Sequence, residues 1–276
     1  MAFTESTRPS NDIESGRKPP AVASLQDLII IEAWDSETDT PKYVTFYHVT
    51  QDEEVYFGQS FKNKRDMTLA EYNTALEYIK DDEIYPVVPI NIQLTIAPEN
   101  LDNSSVFVKR PGLAWYETMK GSDFIPKEVL NETLIMEQIS KSPHPNIVSY
   151  YGCRVKRGRI TTILLERLDQ TLAQYVSTDN FQQLDKTKFI IALESALDHL
   201  HSLGLAHNDI NPHNIMVKDG MPVIIDFGSC QPFGNSLQSL SSEGWYEELF
   251  YTSEKKHDTY SLGKLREWLQ KQEQRS

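Results

Sequence analysis

The sequence predicts an α+β fold with its strands and helices segregated along the chain, and three observations carry that prediction. Residues 26 to 60 alternate apolar and polar side chains as LIIIEAW, KYVTFYHV and EEVYFG, the period of two expected of a half-buried sheet. Strand signals return at Ile90 to Ala97 and Ser105 to Arg110. From there on the pattern turns mainly helical, most plainly over Asp185 to Leu203, where Phe189, Ile190, Leu193, Ala196, Leu197 and Leu200 share one face. Strands, one helix, more strands and then mostly helix is the order of an α+β chain with two lobes.

Taken in order, residues 1 to 24 are polar, proline-containing and aperiodic, which predicts a disordered tail. Residues 25 to 85 form a strand and helix extension of the first lobe. Within it, Thr68 and Glu71 make a capping box and Tyr72, Leu76 and Ile79 follow at helical spacing, so a helix is expected over 68 to 80. Residues 86 to 168 make the first lobe proper, where the acidic loop from Pro98 to Ser104 joins two strands as a hairpin. Pro126 opens a long helix to about Ser140, with Val129, Leu130, Leu134, Met136 and Ile139 on its apolar side. Two strands then pair around the turn Lys156 to Arg159. Residues 169 to 276 make a shortened second lobe: a short helix from about Thr171, the long helix stopped by Gly204, an apolar strand from Met221 into Asp226, and a last helix from Asp258 that buries Leu262, Leu265, Trp268 and Leu269.

Composition excludes several classes. A chain of 276 residues, 39% hydrophobic, can bury a sizeable core. The formal net charge of −13 argues against nucleic acid or an anionic membrane as the main partner. No apolar run approaches a membrane span and the first residues lack the apolar core of a secretory signal, so an intracellular, cytoplasmic protein is expected. Two cysteines, Cys153 and Cys230, make neither a disulfide framework nor a metal-ligand pattern, and Cys230, just after DFG, is read as an inert buried cysteine rather than a reactive thiol.

The chemistry concentrates in HNDINPHNIMV, His207 to Val217, followed by VIIDFG, Val223 to Gly228. Asp209, Asn214 and Asp226 supply an acid, an amide and a second acid at a spacing suited to metal-assisted phosphoryl transfer. That reaction needs a group to orient the attacking hydroxyl and a divalent cation to neutralise charge on the phosphate. Mg2+ takes oxygen ligands, which Asn214 and Asp226 offer, while Asp209, kept off the metal, can accept the hydroxyl proton.

These two stretches resemble the catalytic loop and metal-binding loop of the eukaryotic protein kinase superfamily, whose loop reads H-R-D-L-K-x-x-N. His207, Asp209 and Asn214 match it; Asn208 stands for the arginine and Asn211 for the lysine. The resemblance implies a two-lobed kinase fold, ATP and Mg2+ as cofactors, and further residues. Lys109 in VFVKRP matches the strand lysine that holds phosphates, and Glu132 in ETLIM matches its helix partner, with Glu128 and Glu137 as competitors read as solvated face. PHPNIVSYYG, Pro143 to Gly152, resembles the turn after that helix. LLERLDQTLAQYV resembles the hinge, so Leu165 guards the back of the pocket and the backbones of Glu166 and Leu168 meet adenine. HDTYSLG makes Asp258 both a helix cap and a brace for the catalytic loop.

Three departures accompany the match, which runs over roughly residues 90 to 270. No glycine-rich loop precedes Lys109, so backbone amides cannot approach phosphates over Pro98 to Ser104 as closely as glycine allows. Asn211 brings no positive charge to the γ-phosphate, and Asn208 removes the arginine that reads a phosphorylated activation loop. A-P-E is replaced near Glu247 by WYEEL, and much of the peptide-docking platform of the second lobe is expected to be missing. Two functions stay open: a phosphotransferase resembling serine/threonine protein kinases, or a pseudokinase that works as a nucleotide-binding or interaction scaffold.

Overall fold

The computed structural model describes residues 19–35, 37–102, 104–239 and 241–273; most of the expected disordered tail, residues 1–18, lies outside them. The chain divides into two units, one of residues up to Tyr85 with Gly112–Ile125, the other of Pro86–Pro111 with residues from Pro126 onward.

In the first unit the alternating segments become an antiparallel meander of β1 (Ile29–Asp35), β2 (Thr40–Val49), β3 (Val55–Ser60) and β4 (Glu77–Ile79), in that order across the sheet. The sheet is covered on both faces. Val44, Phe46 and Tyr56 pack with Tyr72 and Leu76 on one side, while Tyr47, Val55 and Phe57 pack with Ile84, Tyr85 and Tyr116 on the other. This double burial departs from the half-buried sheet that the alternation predicts: Val44, Thr45, Phe46 and Tyr47 of KYVTFYHV are all buried. The helix expected over 68 to 80 is shorter, α1 (Leu69–Ala75), followed by β4. Its start is as expected, with Thr68 and Glu71 capping each other. Its end is set by tertiary pairing: Glu77, Tyr78 and Ile79 align with Phe57, Tyr56 and Val55, so the i, i+3 spacing of Leu76 and Ile79 serves an extended chain that supplies the partner strand β3 needs. Two single-turn helices, α2 (Asp81–Ile84) and α3 (Tyr116–Met119), complete the unit, joined by a hydrogen bond of 2.7 Å from the Tyr116 hydroxyl to Glu83.

The second unit begins with β5 (Val106–Lys109) and continues through α4 (Phe124–Ser140), β6 (Tyr150–Lys156), β7 (Arg159–Glu166), α5 (Leu172–Tyr175), α6 (Lys186–Ser202), β8 (Leu205–Ala206), β9 (Ile215–Lys218), β10 (Met221–Ile224), β11 (Gln231–Pro232) and α7 (Lys255–Glu273). Strands β5, β7 and β6 make one antiparallel sheet in that order. The basic run Lys156 to Arg159 is the β6–β7 turn, as expected, with Arg157 and Gly158 both at positive φ. Residues 90–97 do not form the expected strand. Their backbone pairing with β6 is a parallel bridge of Ile96 to Cys153, and among the described residues they form no hairpin with β5. The segment is held instead by Glu137, whose carboxylate accepts the Thr95 backbone N–H at 2.6 Å and its hydroxyl at 2.9 Å. Gly152, at φ +118, permits the approach, because a Cβ there would stand 2.5 Å from the Thr95 carbonyl oxygen.

The largest core of this unit joins Phe189, Leu193, Leu197 and Leu200 of α6 to Ile210, Ile224, Leu265 and Leu269, and takes in Met136 of α4 and Leu165 of β7. Helix α7 starts three residues before Asp258, so that residue is not the cap expected from sequence; it lies in the first turn, wholly buried. Among the described residues, no helix is long and apolar enough to cross a membrane.

Candidate active site

Strand β5 ends on Lys109, and α4 carries Glu132 on the same inward stripe as Val129 and Met136, three residues before and four after. The helical register therefore aims one carboxylate at the sheet. Glu132 Oε1 accepts the Lys109 ammonium at 2.6 Å and the Phe227 backbone N–H at 3.2 Å. Asp226 Oδ1 accepts the same ammonium at 2.9 Å. Burial alone would lower the lysine's pKa, but the charges of Glu132 and Asp226 outweigh it and raise the value. Lys109 in turn holds the Asp226 carboxyl below its usual range.

Asp226 sits at φ +62, a left-handed conformation that costs a residue with a Cβ roughly 1–2 kcal/mol. Burial of the next side chain, Phe227, offsets that cost and fixes the turn. The two competing glutamates separate clearly. Glu128 is half-buried, and burial raises its pKa. Glu137 is not the solvated residue expected but a buried acceptor for Thr95 and for the Tyr150 hydroxyl at 2.9 Å.

The segment from His207 to Asn214 is ordered by bonds within itself and to residues further along the chain. Asp209 Oδ2 accepts the Asn214 amide at 2.8 Å and the Ser242 hydroxyl at 3.2 Å. Its Oδ1 accepts the Ser242 backbone N–H at 2.8 Å, the Asn211 amide at 3.2 Å and the Ser241 hydroxyl at 3.3 Å. The two hydroxyls, at 3.2 and 3.3 Å, are among the longer of these donors and turn away by rotation about one bond, so another hydroxyl can take their place. Asn211 holds Asp209 in position and bears no charge. Asp258 accepts the backbone N–H groups of His207 and Asn208 at 2.9 and 2.8 Å and the His201 ring at 2.9 Å.

A cleft of about 450 Å³ opens beside Lys109 and Asp226 and is lined further by Val148, Leu165, Leu168 and Met216. Leu165 is buried on β7, and Leu168 follows in extended chain with no hydrogen bond to its backbone among the described residues. The Glu166 side chain is tied down by Lys218 at 2.5 Å and Ser149 at 3.0 Å. Where a glycine-rich loop is absent, Asp102 closes a turn of its own, accepting the Ser104 N–H at 2.9 Å and hydroxyl at 2.6 Å.

The oxygens present suit a hard divalent cation. Asn214 spends its NH2 on Asp209, which leaves the amide oxygen available; Asp226 uses Oδ1 for its bonds to Lys109 and the Gly228 N–H and keeps Oδ2. The Ile225 N–H bonds the Asn214 carbonyl at 3.0 Å, so the two candidate ligands are carried on adjoining backbone. Among the described residues no cluster of three or more His, Cys, Asp or Glu could hold a metal by itself.

Sequence reasoning does not find Ser241, Ser242, Lys218 or the burial of Glu137. Serines and lysines of ordinary loop composition carry no local signal of a partner tens of residues away.

A family model described as protein kinase domain matches residues 103–266. The serine/threonine-protein kinase/endoribonuclease IRE1 of Hypocrea jecorina is 30% identical over 51% of this chain and 11% of its own length. The putative serine/threonine-protein kinase L670 of Acanthamoeba polyphaga mimivirus is 26% identical over 71% of this chain and 39% of its own. The MAP kinase kinase kinase SSK2 of Saccharomyces cerevisiae is 29% identical over 41% of this chain and 8% of its own. The chain thus spans well under two thirds of the length of these relatives.

Proposed function

The chain belongs to the protein kinase domain family, and from that premise we propose that it is an ATP- and Mg2+-dependent phosphotransferase acting on serine or threonine hydroxyls of a protein substrate inside the cell. The observation that carries the reading is the cluster in which one ammonium, Lys109, is shared by Glu132 and Asp226 at the mouth of an apolar cleft. In this reading Leu165 and Leu168 enclose adenine, with the Leu168 backbone meeting its polar edge beside Glu166. Lys109 holds the phosphates, and Glu132 keeps the lysine in place. Asn214 and Asp226 would hold Mg2+, which when bound neutralises charge on the transferring phosphoryl group. Asp209 accepts the proton of the attacking hydroxyl.

A second reading, a scaffold that keeps the fold without turnover, is favoured by the Asp102 turn in place of glycine and by the neutral Asn211. Purified wild type, Asp209→Asn and Asp226→Asn separate the two. Mg-ATP binding retained in Asp209→Asn, with single-turnover transfer lower by roughly two to four powers of ten, and weakened metal-dependent binding in Asp226→Asn, support the enzyme. Wild-type turnover no faster than that of Asp209→Asn, with nucleotide bound by both, leaves the scaffold.

A further inference from the structure

Two residues that the chemistry does not use flank the two that it does. Asn131 precedes Glu132 on α4, and Asn208 precedes Asp209 in the catalytic loop. Both face the stretch 228–231 that follows Asp226 and Phe227. The Asn131 NH2 donates to the carbonyls of Gly228 at 3.4 Å and Cys230 at 3.2 Å, and its oxygen accepts the Gln231 side-chain amide at 2.9 Å. From the other side the Asn208 NH2 reaches the carbonyls of Ala206 at 2.9 Å and Ser229 at 3.1 Å and the Ser253 hydroxyl at 3.0 Å. The Ser253 hydroxyl donates onward to the Gln231 carbonyl at 2.9 Å.

The bonds form one unbroken course: Asn131, Gln231, Ser253, Asn208. Gln231, Ser253 and Asn208 are buried and Asn131 is half-buried, so water competes little along the Gln231–Ser253–Asn208 part of the course, and a missing member there leaves buried polar groups unpaired. Asn208 is also one of the few residue types that accept its φ of +64 readily. Each member is neutral, so the course requires neither a proton nor a phosphate to form.

We propose that Asn131, Gln231, Ser253 and Asn208 are positioning residues, a buried amide–hydroxyl relay that locks Glu132 on α4 and Asp209 in the catalytic loop to the same four residues after Asp226. The proposal rests on the function argued above and deepens it: nucleotide placement by Lys109 and Glu132 becomes coupled to placement of the acid that receives the hydroxyl proton. A break at either end loosens residues 227–231, and the loss is shared by both ends.

The test uses the full chain with Asn131→Ala, Ser253→Ala and the double variant, since neither side chain touches nucleotide or the acceptor hydroxyl. Hydrogen exchange at the backbone amides of residues 227–231, affinity for Mg2+ with a non-hydrolysable ATP analogue, single-turnover rate and melting temperature are read on each. The relay predicts at least tenfold faster exchange at 227–231 and a comparable fall in single-turnover rate in each single variant. Asn131→Ala also weakens nucleotide. The double variant is little worse than the poorer single one, because an already broken course has nothing further to lose. Lower melting temperatures with unchanged exchange, affinity and rate in the folded protein, or fully additive losses, overturn the relay. Failure of wild type to bind Mg-ATP overturns the proposed function instead, and the exchange data then decide the relay by themselves.

Discussion

Replacing Lys109 by methionine tests both the electrostatics of the cleft and its chemistry. The substitution keeps the length of the side chain and removes the charge that lies 2.6 Å from Glu132 and 2.9 Å from Asp226. Asp226 is half exposed and loses little, because water replaces the lost partner. Glu132 is only 8% exposed and keeps just the Phe227 N–H. Stranding one member of a fully buried pair costs about 3–5 kcal/mol. The quarter-exposed Lys109 and the surviving hydrogen bond reduce that to about 2 kcal/mol here, so this lysine supports the fold as well as the nucleotide. The loss belongs to the charge of Glu132, so Lys109→Met in combination with Glu132→Gln should be less destabilised than Lys109→Met alone. The wild-type pair has a pH dependence of its own: a lysine pKa raised by folding contributes stability that is complete below the ordinary lysine value and lost only as pH rises beyond it. Urea denaturation followed by circular dichroism at pH 8 supplies the numbers, and thermal shift with Mg-ATP supplies the functional arm, where the variant should show no shift. Lys109→Met as stable as wild type at pH 8, or a double variant whose loss is the sum of the singles, refutes the reasoning.

Glu137→Gln should cost about 1 kcal/mol, because the amide oxygen can still accept the Thr95 N–H and the Tyr150 hydroxyl and the Thr95 hydroxyl can turn to accept the NH2, so that the loss is the charge on the acceptor; Glu128→Gln, at a site where burial already disfavours the charge, should be neutral or slightly stabilising in the same urea assay. Asp258→Asn should cost about 3 kcal/mol and slow any turnover, because an amide nitrogen would face the His207 or Asn208 N–H; equal melting curves for variant and wild type count against the brace. Burial holds the Cys153 thiol up to about 11 and raises that of Cys230 further above the ordinary range. Both should resist alkylation at pH 8 until the protein unfolds, and stability should fall as pH rises from about 9 toward 11, since the folded state holds the protons that the unfolded state releases. Mass spectrometry of native protein labelled faster than it unfolds is the result that contradicts this.

Short-range features of the chain are legible in its residues. Asp209, Asn211 and Asn214 bond one another across two to five residues, so a local motif is enough to bring them together. The Lys109–Glu132 pair follows from a strand ending, a helical register and a family pattern. The cap at Thr68 and the bounds of α6 likewise rest on neighbouring residues, and local sequence decides such features because the groups that satisfy them lie within a turn.

Where a segment's partner comes from far along the chain, residues alone are ambiguous. Ile90 to Ala97 has the composition of a strand, yet its backbone is claimed by Glu137 and Cys153, some forty to sixty residues on. Leu76 and Ile79 fit a helix equally well until β3 offers an unpaired edge. Glu137 reads as a solvated charge because nothing nearby shows that Thr95 and Tyr150 converge on it, and Ser241 and Ser242 carry no mark of their bonds to Asp209. The order of residues dictates which chemical groups this protein possesses and the local turns that present them. Which buried donor meets which acceptor is settled only in the folded chain, because a buried polar group takes the partner that packing brings within about 3 Å, and packing is a property of the whole unit.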